Sequence, residues 1–186
     1  SFTALLHNSL NNGRLRRGII TAYLSSHPKI KLAWNPGSTQ IKAGRGKLSR
    51  LLSKTEILIL NRDEAIELAG TSAKNSNPRS LVKTLRSWGP KVVVITNGKK
   101  GVYAYAGEKV VFHQALVGKQ TDTTGAGDAF GSTFVAGYIR SRGELALPLR
   151  EAAVNSSSVV RQVGAQAGLL RRKALTEEIH KQYPHA

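Results

Sequence analysis

Short, unbroken apolar runs alternate along this chain with longer stretches in which apolar residues recur every three or four positions. The first kind comprises Lys31-Leu32-Ala33-Trp34-Asn35, Ile57-Leu58-Ile59-Leu60 and Lys91-Val92-Val93-Val94-Ile95-Thr96. Successive apolar residues in so short a run fit strands covered on both faces. The second kind predicts amphipathic helices. One is expected over residues 9 to 27, with Leu10, Leu15, Ile19, Ala22 and Tyr23 near one face and Arg14, Arg16 and Arg17 outward, until Pro28 breaks it. Lys42 to Lys47 reads as a basic linker before a short helix around Leu48 to Ser53. Another helix opens at Asn61 and stops at Gly70. After a polar loop, Pro78 starts one through Leu81, Val82, Leu85 and Trp88.

Asn97 to Gly101 reads as a turn, and Val102-Tyr103-Ala104-Tyr105 with Val110-Val111-Phe112 as a hairpin through Gly107. Helical spacing returns at Phe130, Phe134, Gly137 and Tyr138, then from Leu149 to Val163, and again through Lys173, Leu175, Ile179 and Lys181. Buried strands alternating with such helices predict an α/β class, a doubly wound, mostly parallel sheet with helices on both faces. With 186 residues, 40% of them hydrophobic, one sizeable core and a single domain over 1–186 are expected.

Composition narrows the chemistry. No stretch of eighteen apolar residues exists and the start does not read as a signal peptide, so no membrane partner is expected. Without cysteine there are no disulfides or thiolate metal sites, and a cytoplasmic location is the expectation. Five scattered histidines argue against a zinc centre. The chain contains no methionine, so Ser1 is read as following a processing or truncation point. A formal net charge of +17 is extreme for an enzyme of small molecules, and within residues 1–60 the only acid is Glu56. Such a balance favours phosphate-rich partners, so RNA or another polyanion is a candidate partner through the basic residues 14–54. A generally cationic solvated surface is the bland alternative, since no aromatic residues interleave with the basic ones.

The most informative stretch is Asp122-Thr123-Thr124-Gly125-Ala126-Gly127-Asp128-Ala129-Phe130. A glycine turn feeding a helix leaves backbone N–H groups at the positive end of the helix dipole, which is a site for an anion. Asp128 stands inside that environment, where binding alone needs no carboxylate. A general base that takes a hydroxyl proton while the turn holds transferring phosphate accounts for it. An ordinary helix start capped by Thr123 or Thr124 is the plain alternative. No third glycine follows Gly127 at the dinucleotide-fingerprint spacing, and Gly118-Lys119-Gln120-Thr121 lacks the preceding glycine of a P-loop.

This stretch resembles the C-terminal signature of the ribokinase-like (PfkB) carbohydrate and nucleoside kinases. Two further segments are similar to that family's motifs and stand in its order. Asn61-Arg62-Asp63-Glu64 follows a buried strand; from spacing alone Asn61 and Glu64 form a capping-box-like pair, whereas the resemblance implies that they serve the phosphates, with Glu64 reaching magnesium through water. Thr96-x-Gly98-x-x-Gly101 is similar to the nucleotide-binding loop, although any strand-turn-strand can carry two such glycines. The resemblance further implies that the turn after Val163 and Asp122 hold a monovalent cation such as K+; this chain has Gly168 where some relatives have serine. Asn155 either approaches the nucleotide base or lies on a solvated helix face. The implied activity is transfer of the γ-phosphate of ATP, with Mg2+, to a hydroxyl of a sugar or nucleoside, Asp128 acting as base and Gly125, Ala126 and Gly127 stabilising charge. The resemblance runs from about Asn35 to Gly164. The family's front portion and β-lid, which grip the acceptor, have no counterpart in Ser1 to Lys29. The competing expectation is therefore a catalytically incomplete kinase remnant serving as a basic scaffold for RNA.

Overall fold

The computed structural model describes residues 2–7, 13–116, 118 and 120–184, with side chains described from Gly18 onward except at Asn75. These residues fall into two compact units, Ser1–Asn97 with Tyr103–Phe112, and Gly98–Val102 with His113–Ala186.

The first unit carries the sheet. Its strands are β1 (Phe2–His7), β2 (Lys31–Asn35), β3 (Thr55–Asn61), β4 (Val92–Thr96), β5 (Val102–Ala106) and β6 (Lys109–His113), standing side by side in chain order. β1 to β4 are parallel. The connections into β5 and β6 are too short for a parallel crossover, so these two strands run antiparallel. The helices between the parallel strands are α1 (Gly13–Ser26), α2 (Ser38–Leu52), α3 (Arg62–Ala69) and α4 (Pro78–Arg86). Chain-ordered parallel strands joined by right-handed crossovers place all four on one face.

Strand periodicity decides what they cover. Leu32 and Trp34 of β2, Leu58 and Leu60 of β3, and Val93 and Ile95 of β4 form one core with Leu48, Leu52, Leu68, Val82 and Leu85 of the helices. The alternate residues Ile57, Ile59, Val92 and Val94 are also buried, so both faces of these strands are covered, as the unbroken apolar runs predict. Truncating a side chain such as Leu58 to alanine removes contacts worth about 2–5 kcal/mol.

Three expectations are corrected here. The basic stretch Lys42 to Lys47 is helical: α2 begins at Ser38 and is broken only at Gly44, whose φ of 79° lies outside helical space. In α1, Ile20 and Leu24 turn toward the core, whereas Ile19 and Tyr23 are 60% and 48% exposed. Both pairs have i, i+4 spacing, so periodicity alone does not choose between them. Leu10 and the start of the predicted helix lie outside the described residues, as do the side chains of Leu15, Arg14, Arg16 and Arg17. β1 was not foreseen.

The second unit is helical: α5 (Ala126–Arg140), α6 (Ala146–Val159) and α7 (Arg172–Gln182). α6 starts three residues before the expected Leu149, because Pro148 sits in its first turn, where proline is tolerated. α5 and α6 pack closely at Gly137, where an added Cβ would lie 3.1 Å from Pro148. Arg140 and Glu151 form an ion pair across them. Near the end of α7, Tyr183 Oη lies 3.1 Å from His113 Nε2 while the Arg150 guanidinium covers the Tyr183 ring. Burial holds the His113 imidazole below its usual pKa and raises the Tyr183 phenol.

Candidate active site

The signature turn lies wholly in the helical unit. Gly125 is the N-cap of α5 with φ +80° and makes no side-chain cap bond. Capping by Thr123 or Thr124 is thereby excluded; Thr123 contributes only its carbonyl, which accepts from Ala126 N at 3.2 Å. An added Cβ at Gly125 would lie 2.6 Å from the Ala165 carbonyl oxygen, so only glycine fits both the left-handed backbone and the space. At Gly127 the same atom would meet nothing within 4 Å, leaving the backbone open to an approaching group. Asp128 is exposed in the first turn of α5, and its own carbonyl accepts from Ser132 Oγ at 2.7 Å. The arrangement presents a helix start of positive potential with a carboxylate on it.

Asp122 faces the other way. Its Oδ1 accepts from Thr124 N at 2.9 Å and its Oδ2 from Gly164 N at 3.0 Å. The Thr124 N–H, foremost, with the Thr124 hydroxyl and the Gly164 N–H, lowers its pKa below the usual carboxylate value. Oδ1 thus steadies the signature's own turn, and Oδ2 fastens it to the turn after α6. Three more bonds tie the same parts: Ser156 Oγ donates to the Ala126 carbonyl at 3.0 Å, Asn155 Nδ2 donates to Thr133 Oγ1 at 2.8 Å, and Leu170 N donates to Asn155 Oδ1 at 2.9 Å. Asn155 is 6% exposed, which removes the solvated-face expectation. A serine at Gly168 would not fit this backbone, since its Cβ would lie 2.3 Å from the Ser158 carbonyl oxygen. Sequence reasoning missed Thr133 and Ser156; their signal was a hydroxyl at an inward helical position between apolar neighbours.

In the sheet unit, Asn61 ends β3 and caps α3. Its Oδ1 accepts from Glu64 N and Glu64 Oε2 accepts from Asn61 N, each at 2.8 Å, a complete capping box. The structural alternative for this pair is therefore present. Thr96 ends β4 in register with Asn61. Beyond it, Gly98 and Gly101 bound a single tight turn, closed by Gly101 N to Gly98 O at 3.2 Å, and both have positive φ. Among the described residues no three His, Asp or Glu side chains cluster as a metal site. A divalent ion accompanying a nucleotide would therefore be held largely by phosphate oxygens and water, to which Glu64 could add one carboxylate. Among the described residues no helix is long and apolar enough to cross a membrane.

The profile of pfkB family carbohydrate kinases matches residues 36–172, the region holding all these positions. The chain belongs to this family. Among curated pfkB relatives, it is 37% identical over 100 residues to the cytidine kinase of Thermococcus kodakarensis, covering 53% of this chain and 34% of that enzyme. It is 32% identical over 134 residues to the ribokinase of Staphylococcus aureus, covering 72% of this chain and 43% of that enzyme. The fold matches Arabidopsis thaliana ribokinase, solved with ribose and ATP, at a TM-score of 0.75 and 24% identity, over 88% of this chain and 52% of that one. It also matches an Escherichia coli chain assigned to ribokinase II, solved with ATP and Mg2+, at a TM-score of 0.70 and 21% identity, over 87% and 52%. The chain thus spans a third to a half of these relatives, and carries the doubly wound, mostly parallel α/β fold of the family.

Proposed function

We propose that this chain carries the ATP-handling part of a sugar or nucleoside kinase. The observation that supports this most is the uncapped start of α5, glycine-lined and open at Gly127, with Asp128 beside it. A helix start left without a side-chain cap suits an anion, and family membership makes transferring phosphate the natural occupant.

In this reading Asp128 takes the proton from the acceptor hydroxyl. The N–H groups of the Gly125–Asp128 turn and the α5 dipole hold the negative charge that grows on the transferring group. Asn155, through Leu170 N, and Asp122, through Gly164 N, keep the neighbouring turn seated so that Gly125 retains its position. Asp122 also remains the candidate ligand for K+. The Thr96–Gly101 loop is assigned to the nucleotide. Asn61 and Glu64 are assigned to the phosphate-bound magnesium through water, in addition to capping α3. Bound magnesium supplies charge neutralisation at the phosphates.

Two measurements test the reading. Calorimetry with Mg-ATP should detect binding by the folded chain, and a folded chain that binds no nucleotide would remove the proposal. In the enzyme that carries this chain, Asp128→Asn should lower kcat by roughly 10²-fold or more with ATP affinity nearly unchanged. A variant keeping most of its turnover would take Asp128 out of the mechanism. ADP release over a panel of sugars and nucleosides would name the acceptor.

A further inference from the structure

Residues 38–54, which span α2 and the turn after it, carry Lys42, Arg45, Lys47, Arg50 and Lys54 and no acid. Residues 78–91, which span α4 and its following turn, carry Arg79, Lys83, Arg86 and Lys91, again with no acid. The fold joins the two stretches. An added Cβ on Gly89 would lie 2.5 Å from Ser53 Cα, and the Arg45 guanidinium stands 4.7 Å from the centre of the Trp88 ring. Glu56, the acid nearest the α2 stretch in sequence, is already shared by Lys31 at 3.8 Å and Lys91 at 3.2 Å. Among the described residues no ion pair engages the five cations of the α2 stretch or Arg79, Lys83 and Arg86 of α4.

The charge at the Lys54 and Lys91 end of these stretches is not aimed at the nucleotide. Lys54 and Lys91 stand just before the starts of β3 and β4, whereas Asn61 and Thr96 end those strands. Seven residues of strand separate the two ends by about 20 Å.

The chemistry of the face selects its partner. The large apolar side chains that are exposed lie on α1, β6, α5, α6 and the turn beyond it, and none on α2 or α4, so nothing there inserts into a lipid surface. Trp88, the one aromatic side chain of the two stretches, is covered by Arg45, which leaves no platform for stacking an unpaired base. What remains is a set of lysines and arginines, exposed but for the half-buried Arg86, suited to phosphates. Both helices lie along the sheet rather than projecting from it, so neither enters the major groove of B-form DNA. A broad, shallow contact suits A-form RNA, which is recognised by shape and backbone. We propose that the α2–α4 face binds the phosphate backbone of a folded RNA, independently of the kinase site.

The test uses the full chain and a fluorescein-labelled RNA hairpin, with anisotropy followed as salt is raised. Reversing Lys47, Arg50 and Lys54 to Glu should weaken binding about tenfold or more and reduce the salt slope by about 2–3. Reversing Arg171, Arg172 and Lys173, exposed residues of the helical unit, changes the net charge equally and should weaken binding by less than about threefold. Circular dichroism checks folding, and Gln at the same three α2 positions provides a milder variant with the same ordering of effects. Equal weakening by the two triple reversals would overturn the proposal, because only total charge would then matter. So would absence of binding at low salt, or tighter binding to duplex DNA or to phosphatidylserine vesicles than to the hairpin.

Discussion

Two helix starts in this molecule look alike in sequence and are built in opposite ways. α3 follows Asn61, an extended residue, and α5 follows Gly125, a left-handed one, with Asp63 and Glu64 in the first turn of the former and Asp128 in that of the latter. At α3 the polar side chains turn back on their own helix, and Asn61 and Glu64 satisfy each other's backbone N–H. At α5 one oxygen of Asp122 is committed to a turn 42 residues later in the chain, and the N-cap, Gly125, has no side chain with which to cap the helix. A self-capped start is stable without a ligand. One whose N-cap is a glycine gains no such bond from that residue, and the phosphate site proposed above rests on this difference.

The largest expected effect comes from filling the uncapped start. Gly125→Ala imposes a left-handed residue with a Cβ, worth about 1–2 kcal/mol, and drives that atom into Ala165, worth about 1–3 kcal/mol more. Denaturant unfolding should show the sum as a lowered midpoint, and Mg-ATP binding should be lost with it. Gly127→Ala separates the two effects, because its Cβ meets nothing in the protein. It should leave the midpoint nearly in place while weakening Mg-ATP. If Gly127→Ala left ATP affinity untouched, the open backbone there would not be a binding surface.

Next is the fastening behind the turn. Asn155→Ala leaves Leu170 N and Thr133 Oγ1 without their buried partner, for a loss of roughly 1–3 kcal/mol. Hydrogen exchange should show the Leu170 amide opening faster, while the Asn61 N–H, in the other unit, keeps its protection. Unchanged exchange at Leu170 would mean that Asn155 does not hold the loop.

The same contrast explains what could be read from the sequence. β2, β3 and β4 were legible because three or four successive apolar residues between polar ends suit a doubly covered strand. α3 was legible with its cap, since a capping box is a local device whose two bonds span three residues. The signature was legible as a glycine turn opening a helix for a similar reason. What could not be read depends on residues far apart in the chain. The 164–170 segment takes its place from Asp122, Gly125 and Asn155, and no local pattern encodes that. α2 was hidden by Gly44, Gly46 and its run of cations, although Ile41, Leu48, Leu51 and Leu52 keep their inward spacing. In α1 two apolar pairs of identical spacing competed, and only packing chose Leu24 over Tyr23.

A smaller effect tests whether the α3 start does more than cap. Asn61→Ala removes one arm of the box and should lower stability by about 1 kcal/mol. Glu64→Gln keeps an acceptor for Asn61 N–H, so stability should stay within about 0.5 kcal/mol of the parent chain. If Glu64 also serves magnesium, the Gln variant should need more magnesium to bind ATP, while its thermal midpoint stays put. Equal magnesium dependence in the two proteins would leave Glu64 as a cap alone.

The smallest expected effect is a pH dependence at the α5 side. Asp122 accepts hydrogen bonds from Thr124 N and Gly164 N, the first being the main cause of its lowered pKa. A carboxylate whose pKa is lower folded than unfolded stabilises the fold fully above the unfolded value, about 3.9. That contribution is lost as pH falls through the lowered folded value. Protonation then weakens the bond within the signature and the one that joins it to the turn after α6. Asp122→Asn can still accept through its amide oxygen but carries no charge to lose, so its midpoint should depend less on pH below about 4. The α3 start provides the control: Asn61→Ala should shift the midpoint without flattening that acid limb. Thermal unfolding of the parent chain and both variants from about pH 6 downward would show it. Parallel acid limbs for the parent and Asp122→Asn would mean that the carboxylate charge does not fasten the turn.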